Sequence, residues 1–268
     1  MPQPVVYVMN RKGKLYLLPS PLASFDSQRW SAESVAMEVP AAALSLYASL
    51  EYFIVESEKS ALRLLSRFKN AHSMAALRLA VFDEHAKAAE IAGLLDPLEE
   101  GQDGGILSEA GLPCVADPGG LLVFHAHRRG IEVIPVSGPS SLMLALSASG
   151  LDAQRFMFLG YLPGDNRDRE KALRRIGPEC LRDGMTRLFI ETPYRNDKLL
   201  MDCALCLPDN LNLCVAADIG GPRMSIWTKE VSQLRKLAQD PSSFPKIGKV
   251  PAVFVIGGAA EIKPRNTI

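Results

Sequence analysis

Residues Gly104–Gly150 read GGILSEAGLPCVADPGGLLVFHAHRRGIEVIPVSGPSSLMLALSASG. Two short apolar segments, Gly105–Leu107 and Ile131–Val136, each run into a turn made of Gly, Pro and Ser. A segment with helical spacing follows each turn. Strand, glycine-rich turn, helix and strand in that order form a βαβ unit, and such units build parallel sheets with both faces covered. In open α/β sheets the loops outside the carboxyl ends of the strands bind small ligands. The stretch therefore predicts an α/β fold with a ligand site on its turns.

Working outward, Lys14–Leu18 (KLYLL) is a short apolar strand stopped by Pro19-Ser20-Pro21. Proline cannot continue a ladder, so the chain must turn there. Val35–Leu50 carries apolar residues at mixed helical spacing, and Tyr52–Val55 (YFIV) is aromatic and β-branched, which predicts a buried strand. Glu56-Ser57-Glu58-Lys59-Ser60 is then a capping-type start for the helix Ala61–Phe68. Leu77–Phe82 is a strand followed by Asp83-Glu84-His85, and Ala86–Leu95 is an alanine-rich helix. The helix from about Gly119 to Arg129 and the helix Leu142–Ser149 complete this half.

Gly150–Gln154 is the predicted joint, giving an N-terminal domain over 1–150 and a C-terminal domain over 151–268. In the second half, strands are expected at Phe156–Tyr161, Arg187–Ile190, Leu211–Ala217, Arg223–Trp227 and Ala252–Ile256. Helices are expected at Asp165–Ile176, Asp197–Cys206 and Val231–Ala238. Strands there follow in shorter succession, so the first sheet is predicted mostly parallel and the second mixed.

Apolar residues make up 47% of the 268 and charged residues 22%, the composition of a globular protein with real cores. Thirty Lys and Arg balance thirty Asp and Glu, so no global field draws the chain to nucleic acid and an RNA contact would need a local basic patch. The opening MPQPVVYVMNRKG has no basic segment leading an apolar core, so no signal peptide is expected. No apolar run reaches the length of a spanning helix. Five cysteines, an odd number, suit reduced thiols in a cytoplasm.

The turn Ser108-Glu109-Ala110-Gly111-Leu112-Pro113 follows a strand directly, and its glycine leaves room for a ligand to approach the backbone. Asp117-Pro118 reads as a helix start. Gly138-Pro139-Ser140-Ser141 ends a strand and opens a helix, where the hydroxyls serve as caps or bind a carboxylate. Neither a G-x-G-x-x-G nor a P-loop is present, which argues against a dehydrogenase or an NTPase. Cys203 and Cys206 lie on an apolar helical face with no second pair nearby and read as core residues, so no metal site is expected. His125 and His127 do not share a helix face. Arg167-Asp168-Arg169-Glu170-Lys171 with Arg174-Arg175 is a mixed-sign run, read as a solvated face that holds enough local charge for a phosphate contact.

The segments KLYLLPSPL, ILSEAGLPCVADPG, GIEVIPVSGPSS, RFMFLGYLP and LFIETPYR together resemble the tetrapyrrole methylase superfamily of S-adenosylmethionine-dependent methyltransferases. Their order is most similar to the branch that methylates cytidine 2′-hydroxyls of small-subunit rRNA. The resemblance implies two α/β domains with a cofactor cleft between them, a homodimer, and S-adenosylmethionine as methyl donor. It places the cofactor against Pro21, Gly111, Leu112, Pro113, Val115, Ser140, Ser141, Glu191, Val215, Pro251 and Ala252. A ribose acceptor would need its proton removed, for which His85, Glu56 and Lys59 are the candidates. The acceptor-side loops differ from that branch, with Glu56-Ser57-Glu58-Lys59 in place of its Glu-Asp-Thr-Arg. Methylation of a tetrapyrrole or another small molecule, and a non-catalytic cofactor-binding role, therefore stay open beside rRNA methylation.

Overall fold

The computed structural model describes residues 11–22, 31–69, 71–82, 91, 93–117, 119–240 and 242–259. The chain forms two compact units, Met1–Pro139 and Ser140–Ile268. The division precedes the joint expected at Gly150–Gln154. The reason is the helix Ser141–Ala148, whose Leu142, Ala145 and Leu146 pack with Leu188, Val253 and Val255 of the second sheet. That apolar face binds the helix to the unit that follows it.

In the first unit, β1 (Lys14–Leu18), β2 (Tyr52–Val55), β3 (Arg78–Val81), β4 (Gly104–Leu107) and β5 (Glu132–Pro135) form one sheet in the order β3-β2-β4-β1-β5. Every pairing is parallel. Alternation sorts the side chains of β2 onto two faces. Phe53 and Val55 join Leu18, Tyr47, Leu64 and Leu65 in one core. Tyr52 and Ile54 join Leu15, Leu95, Leu98, Ile106 and Leu122 in the other. The central strands β2 and β4 are buried throughout, as a parallel sheet covered on both faces requires. Glycine opens β4 because a Cβ on Gly105 would lie 2.6 Å from Leu18 Cδ1, and one on Gly104 would lie 2.9 Å from Tyr52 Cδ1. The stretch expected as one helical region at Val35–Leu50 is two helices, Ala32–Glu38 and Ala41–Ser49, because Pro40 stands at the start of the second.

In the second unit, β6 (Phe156–Tyr161), β7 (Thr186–Glu191), β8 (Asn212–Ala217), β9 (Ser225–Glu230) and β10 (Ala252–Gly257) are ordered β6-β7-β10-β8-β9. Only β6 and β7 are parallel to each other, so this sheet is mixed, as expected. Phe189 and Phe254 stack with centroids 5.6 Å apart on one face. The helix expected to stop at Ile176 runs instead over Asn166–Asp183, through Gly177-Pro178, and ends at Gly184 with φ 64°. Its apolar stripe continues past the proline with Cys180, and Gly177 lets the helix press against the Pro208 ring, where a Cβ would come to 2.5 Å. Among the described residues no helix is long and apolar enough to cross a membrane.

Arg169, read from sequence as part of a solvated run, is only 1% exposed. Its Nε donates to Asp202 Oδ2 at 2.8 Å, its Nη2 to Asn166 Oδ1 at 2.7 Å, and its Nη1 to the Gly164 carbonyl at 3.0 Å. A buried guanidinium is tolerated only when paired and hydrogen-bonded in this way. Replacing Asp202 by Leu strands that charge and is expected to cost about 3–5 kcal/mol. The double variant Arg169→Met with Asp202→Leu should recover a large part of the loss, and urea denaturation of the two variants checks both.

Candidate functional site

Five parallel strands deliver the loops of the first unit to one edge. The loops after β1 and β4 are joined there by an isolated antiparallel bridge between Ser20 and Gly111. The Ser20 N–H donates to the Gly111 carbonyl at 2.7 Å, and the Gly111 N–H donates back to the Ser20 carbonyl at 2.9 Å. Ser20 Oγ adds a bond to the Ser108 carbonyl at 2.7 Å. The Tyr47 hydroxyl donates to the Pro19 carbonyl and fixes the same turn from beneath. Pro21 and Pro113 are buried, Leu112 is half-buried, and Val115 is 48% exposed. The bridge thus brings together Pro21, Gly111, Leu112, Pro113 and Val115 from two separate turns.

Beyond Pro113 the chain folds back on itself. Cys114 and Ala116 have φ values of 68° and 62°, a region that side chains other than glycine seldom occupy. Asp117 holds this turn, accepting from the Cys114 N–H at 2.7 Å and from the Gly119 N–H at 2.8 Å. Burial pushes the Asp117 carboxyl above its ordinary range. Burial, with Asp117 and Glu56 nearby, pushes the Cys114 thiol up to about 12, so it is no thiolate nucleophile at neutral pH.

Glu56 follows β2 and lines a hollow of about 200 Å³ with Asp117, Ile54, Val55, Phe82, Ile106, Leu107 and Gly119. Burial first, then the charges of Asp117 and Glu109, raise its carboxyl to about 7, against a stabilising hydrogen bond from the Glu109 backbone. A second hollow of about 240 Å³ is lined by Ser20, Ser57, Ser60, Ser108 and Glu109 with Ala61, Leu64 and Leu107. Ser60 Oγ donates to Glu109 Oε1 at 3.0 Å. Lys59 stands exposed on the first turn of the helix Glu58–Leu65. His85 lies outside the described residues, as do Pro118 and most of the helix expected at Ala86–Leu95.

The second unit gathers its own set. Ladder register places Ala252 opposite Glu191 on β7 and opposite Ala217 on β8. Glu191 is 4% exposed. Its Oε1 accepts from the Thr192 N–H at 2.6 Å, from Arg195 Nε at 2.9 Å and from Arg195 Nη2 at 2.6 Å. Its Oε2 is buried and has no hydrogen-bond partner among the described residues. The Pro251 carbonyl accepts from the Asp218 N–H at 2.8 Å. Val215 is set differently. It lies inside β8 between β10 and β9, fully buried in the core with Phe189 and Phe254, and its side chain offers no surface. Ser140 caps the helix Ser141–Ala148, accepting from the Met143 N–H at 3.5 Å, and Ser141 is its first residue. Cys203 and Cys206 are both buried on the helix Asn196–Cys206.

Glu109 lies on the turn singled out from sequence, but its pairing with Ser60 comes from the sheet, which brings the two together from distant positions. Asp218 was not foreseen. Asp218 has φ 50°, is 2% exposed, and accepts from the Arg223 N–H at 2.8 Å. The Gly220-Gly221 pair beside it was a usable signal, because a Cβ on Gly221 would lie 2.3 Å from the Asp218 carboxyl.

Gly111 has φ 74°, and an added Cβ would sit 3.1 Å from Leu22 Cδ2. Gly111→Ala should therefore cost about 1–2 kcal/mol, read by urea denaturation. Glu56 predicts a pH effect of definite sign. Folding raises its carboxyl from 4.5 to about 7, so the folded state holds the proton more tightly. Its contribution to stability is present in full below pH 4.5 and is lost as pH rises through about 7. The stability of Glu56→Gln relative to the parent should accordingly grow between those limits and level off above them, a course that denaturation at a series of pH values will follow.

With this geometry in place, the chain compares informatively with known proteins. The family model of tetrapyrrole (corrin/porphyrin) methylases matches residues 42–235. A protein named ribosomal RNA small subunit methyltransferase I from Halalkalibacterium halodurans is 31% identical over 204 residues, which cover 76% of this chain and 64% of that relative. The protein of the same name from Escherichia coli O157:H7 is 29% identical over 238 residues, covering 85% of this chain and 76% of the relative. Thus the chain spans just under two thirds of the first relative and about three quarters of the second. The uroporphyrin-III-C-methyltransferase of Thermus thermophilus shares the fold, with a TM-score of 0.50 at 20% identity over 92% of this chain and 96% of that one.

Proposed function

Because the chain belongs to the tetrapyrrole (corrin/porphyrin) methylase family, we propose that it transfers the methyl group of S-adenosylmethionine to small-subunit ribosomal RNA. The observation that carries this reading is the family match over residues 42–235, which takes in the Ser108–Val115 turn, Ser140-Ser141, Glu191 and Val215. The names of the relatives support RNA as the acceptor.

The residues present suit such a cofactor. In the first unit, Pro21, Gly111, Leu112, Pro113 and Val115 offer backbone groups on a locked turn and an exposed apolar side chain. In the second, the orphaned Glu191 Oε2 is a ready acceptor for an ammonium or a hydroxyl, and Ala252 lies beside it in register, with Pro251 preceding it. Ser140 and Ser141 belong to the same proposed set, and Val215 serves as core packing with Phe189 and Phe254. S-adenosylmethionine, when bound, supplies a methyl group activated by its sulfonium.

Transfer to a hydroxyl demands alignment above all, which is the role of the bridged turns. It also demands a group that takes the hydroxyl proton. Among the described candidates Glu56 is the best suited, since a carboxyl near 7 accepts a proton readily and is ionised in useful amount at neutral pH. Lys59 is exposed and serves better as a contact for the acceptor than as a base. The reading includes a cytoplasmic homodimer, supported for the compartment by five free thiols.

Labelled S-adenosylmethionine should transfer its methyl to isolated small ribosomal subunits and not to tetrapyrrole pools. Glu56→Gln should lower kcat by roughly 10²–10⁴ and remove the rise in rate through pH 7, with the KM for the donor little changed. Transfer to a tetrapyrrole in place of RNA would replace the acceptor. Failure to bind S-adenosylmethionine in calorimetry would end the reading altogether.

A further inference from the structure

The charged helix Asn166–Asp183 has two sharply different sides. Arg169, Leu173, Ile176, Gly177 and Cys180 are buried and define its inner face. At 3.6 residues per turn, Arg167, Lys171, Arg174, Arg175 and Arg182 all fall within an arc of about 100° centred opposite that face. All five are exposed. From Arg167 to Arg182 the row extends about 22 Å along the axis, at roughly 1.5 Å per residue.

The acids of this helix stand outside the row. Asp168 and Glu179 lie along one border and Glu170 along the other. Asp183 is engaged by Arg187, with Nη2 to Oδ2 at 2.7 Å, and by the Met185 N–H at 2.9 Å. Among the described residues, of the five cations only Lys171 is paired, to Asp168 at 3.0 Å and in the open. No salt bridge joins Arg167, Arg174, Arg175 or Arg182 to any described acid. In a chain whose thirty basic and thirty acidic residues cancel, four guanidiniums on one crest without an ion-pair partner among the described residues are a concentrated local field.

We infer that this crest is a docking surface for the phosphate backbone of the RNA acceptor. The inference rests on the proposed RNA substrate and goes further in assigning the surface that holds it. Guanidinium pairs with phosphate through two parallel hydrogen bonds. A row of such groups on one helix meets phosphates without reading sequence, which leaves recognition of the target nucleotide to the loops of the site. The apolar inner face keeps the row fixed in the second unit, so the helix does not reorder when it binds.

The test uses the full chain and a variant with Arg167→Gln, Arg174→Gln, Arg175→Gln and Arg182→Gln, all exposed sites where glutamine keeps the helix. Affinity for a labelled fragment of small-subunit rRNA is measured by anisotropy over a series of salt concentrations, and S-adenosylmethionine binding by calorimetry. The variant should lose on the order of tenfold or more in RNA affinity at low salt. Its plot of log affinity against log salt should be shallower by about 3, since each phosphate contact contributes roughly 0.7–0.9. Cofactor binding should be unchanged, and lysine at the same four positions should restore most of the slope. A glutamine variant with the parent's affinity and slope overturns the crest while leaving methylation of RNA intact. A parent that binds S-adenosylmethionine but no RNA overturns both the crest and the RNA acceptor. A parent that binds RNA but no S-adenosylmethionine overturns the methyl-transfer reading, and the crest is then decided by the RNA measurement alone.

Discussion

The pairing of Ser20 with Gly111 is the constraint on which the first unit's loops depend. Two backbone hydrogen bonds close a short antiparallel bridge beyond the ends of two parallel strands. Such a bridge can form only because β1 and β4 are neighbours in the sheet, which sets their following turns side by side. The Ser20 hydroxyl and the buried Tyr47 hydroxyl then hold the carbonyls on either side. Gly111 takes the positive φ that the bridge requires and leaves no side chain against Leu22. A turn this well held presents its backbone to a ligand with little entropy left to lose on binding.

The same edge concentrates negative charge where apolar strands leave little water to screen it. Glu56, Glu109 and Asp117 come from three places in the chain and meet above β2 and β4. Burial raises Glu56, and its acidic neighbours raise it further. Burial raises Asp117 as well, opposed by two backbone N–H donors that also hold the left-handed residues of its own turn. Both carboxyls are raised by burial, and they differ in their backbone donors, two N–H groups for Asp117 and one for Glu56.

In the second unit a single helix does two things with one residue type. Arginine on its inner face, at position 169, is buried and answered by Asp202, Asn166 and two carbonyls. Arginine on its outer face, at positions 167, 174, 175 and 182, is exposed and has no salt-bridge partner among the described acids. Composition cannot tell these apart, since the run from Arg167 to Lys171 alternates in sign. Only the helix period, once the buried side is known, separates the anchor from the crest.

Sequence alone determined the local elements. KLYLL, YFIV and FMFLGY became strands with the bounds expected, because apolar and β-branched runs closed by proline, glycine or polar turns leave few other choices. Parallel and mixed sheets were legible too, in the rhythm of strands and helices, as were the family and its methyl donor in five short segments. The order of strands in each sheet was not legible, and that order decided what met what. It joined Ser20 to Gly111, brought Glu109 to Glu56, set Glu191 beside Ala252, and buried Val215 in the core between two neighbouring strands. It also carried the helix Asn166–Asp183 through Gly177-Pro178, where the local rule predicts a stop, because the packing of Ile176 and Cys180 outweighs one lost hydrogen bond. Propensity and pattern act over a few residues and fix what each segment becomes. Long-range pairing and burial act between segments far apart in the chain, and so only the tertiary structure fixed the site.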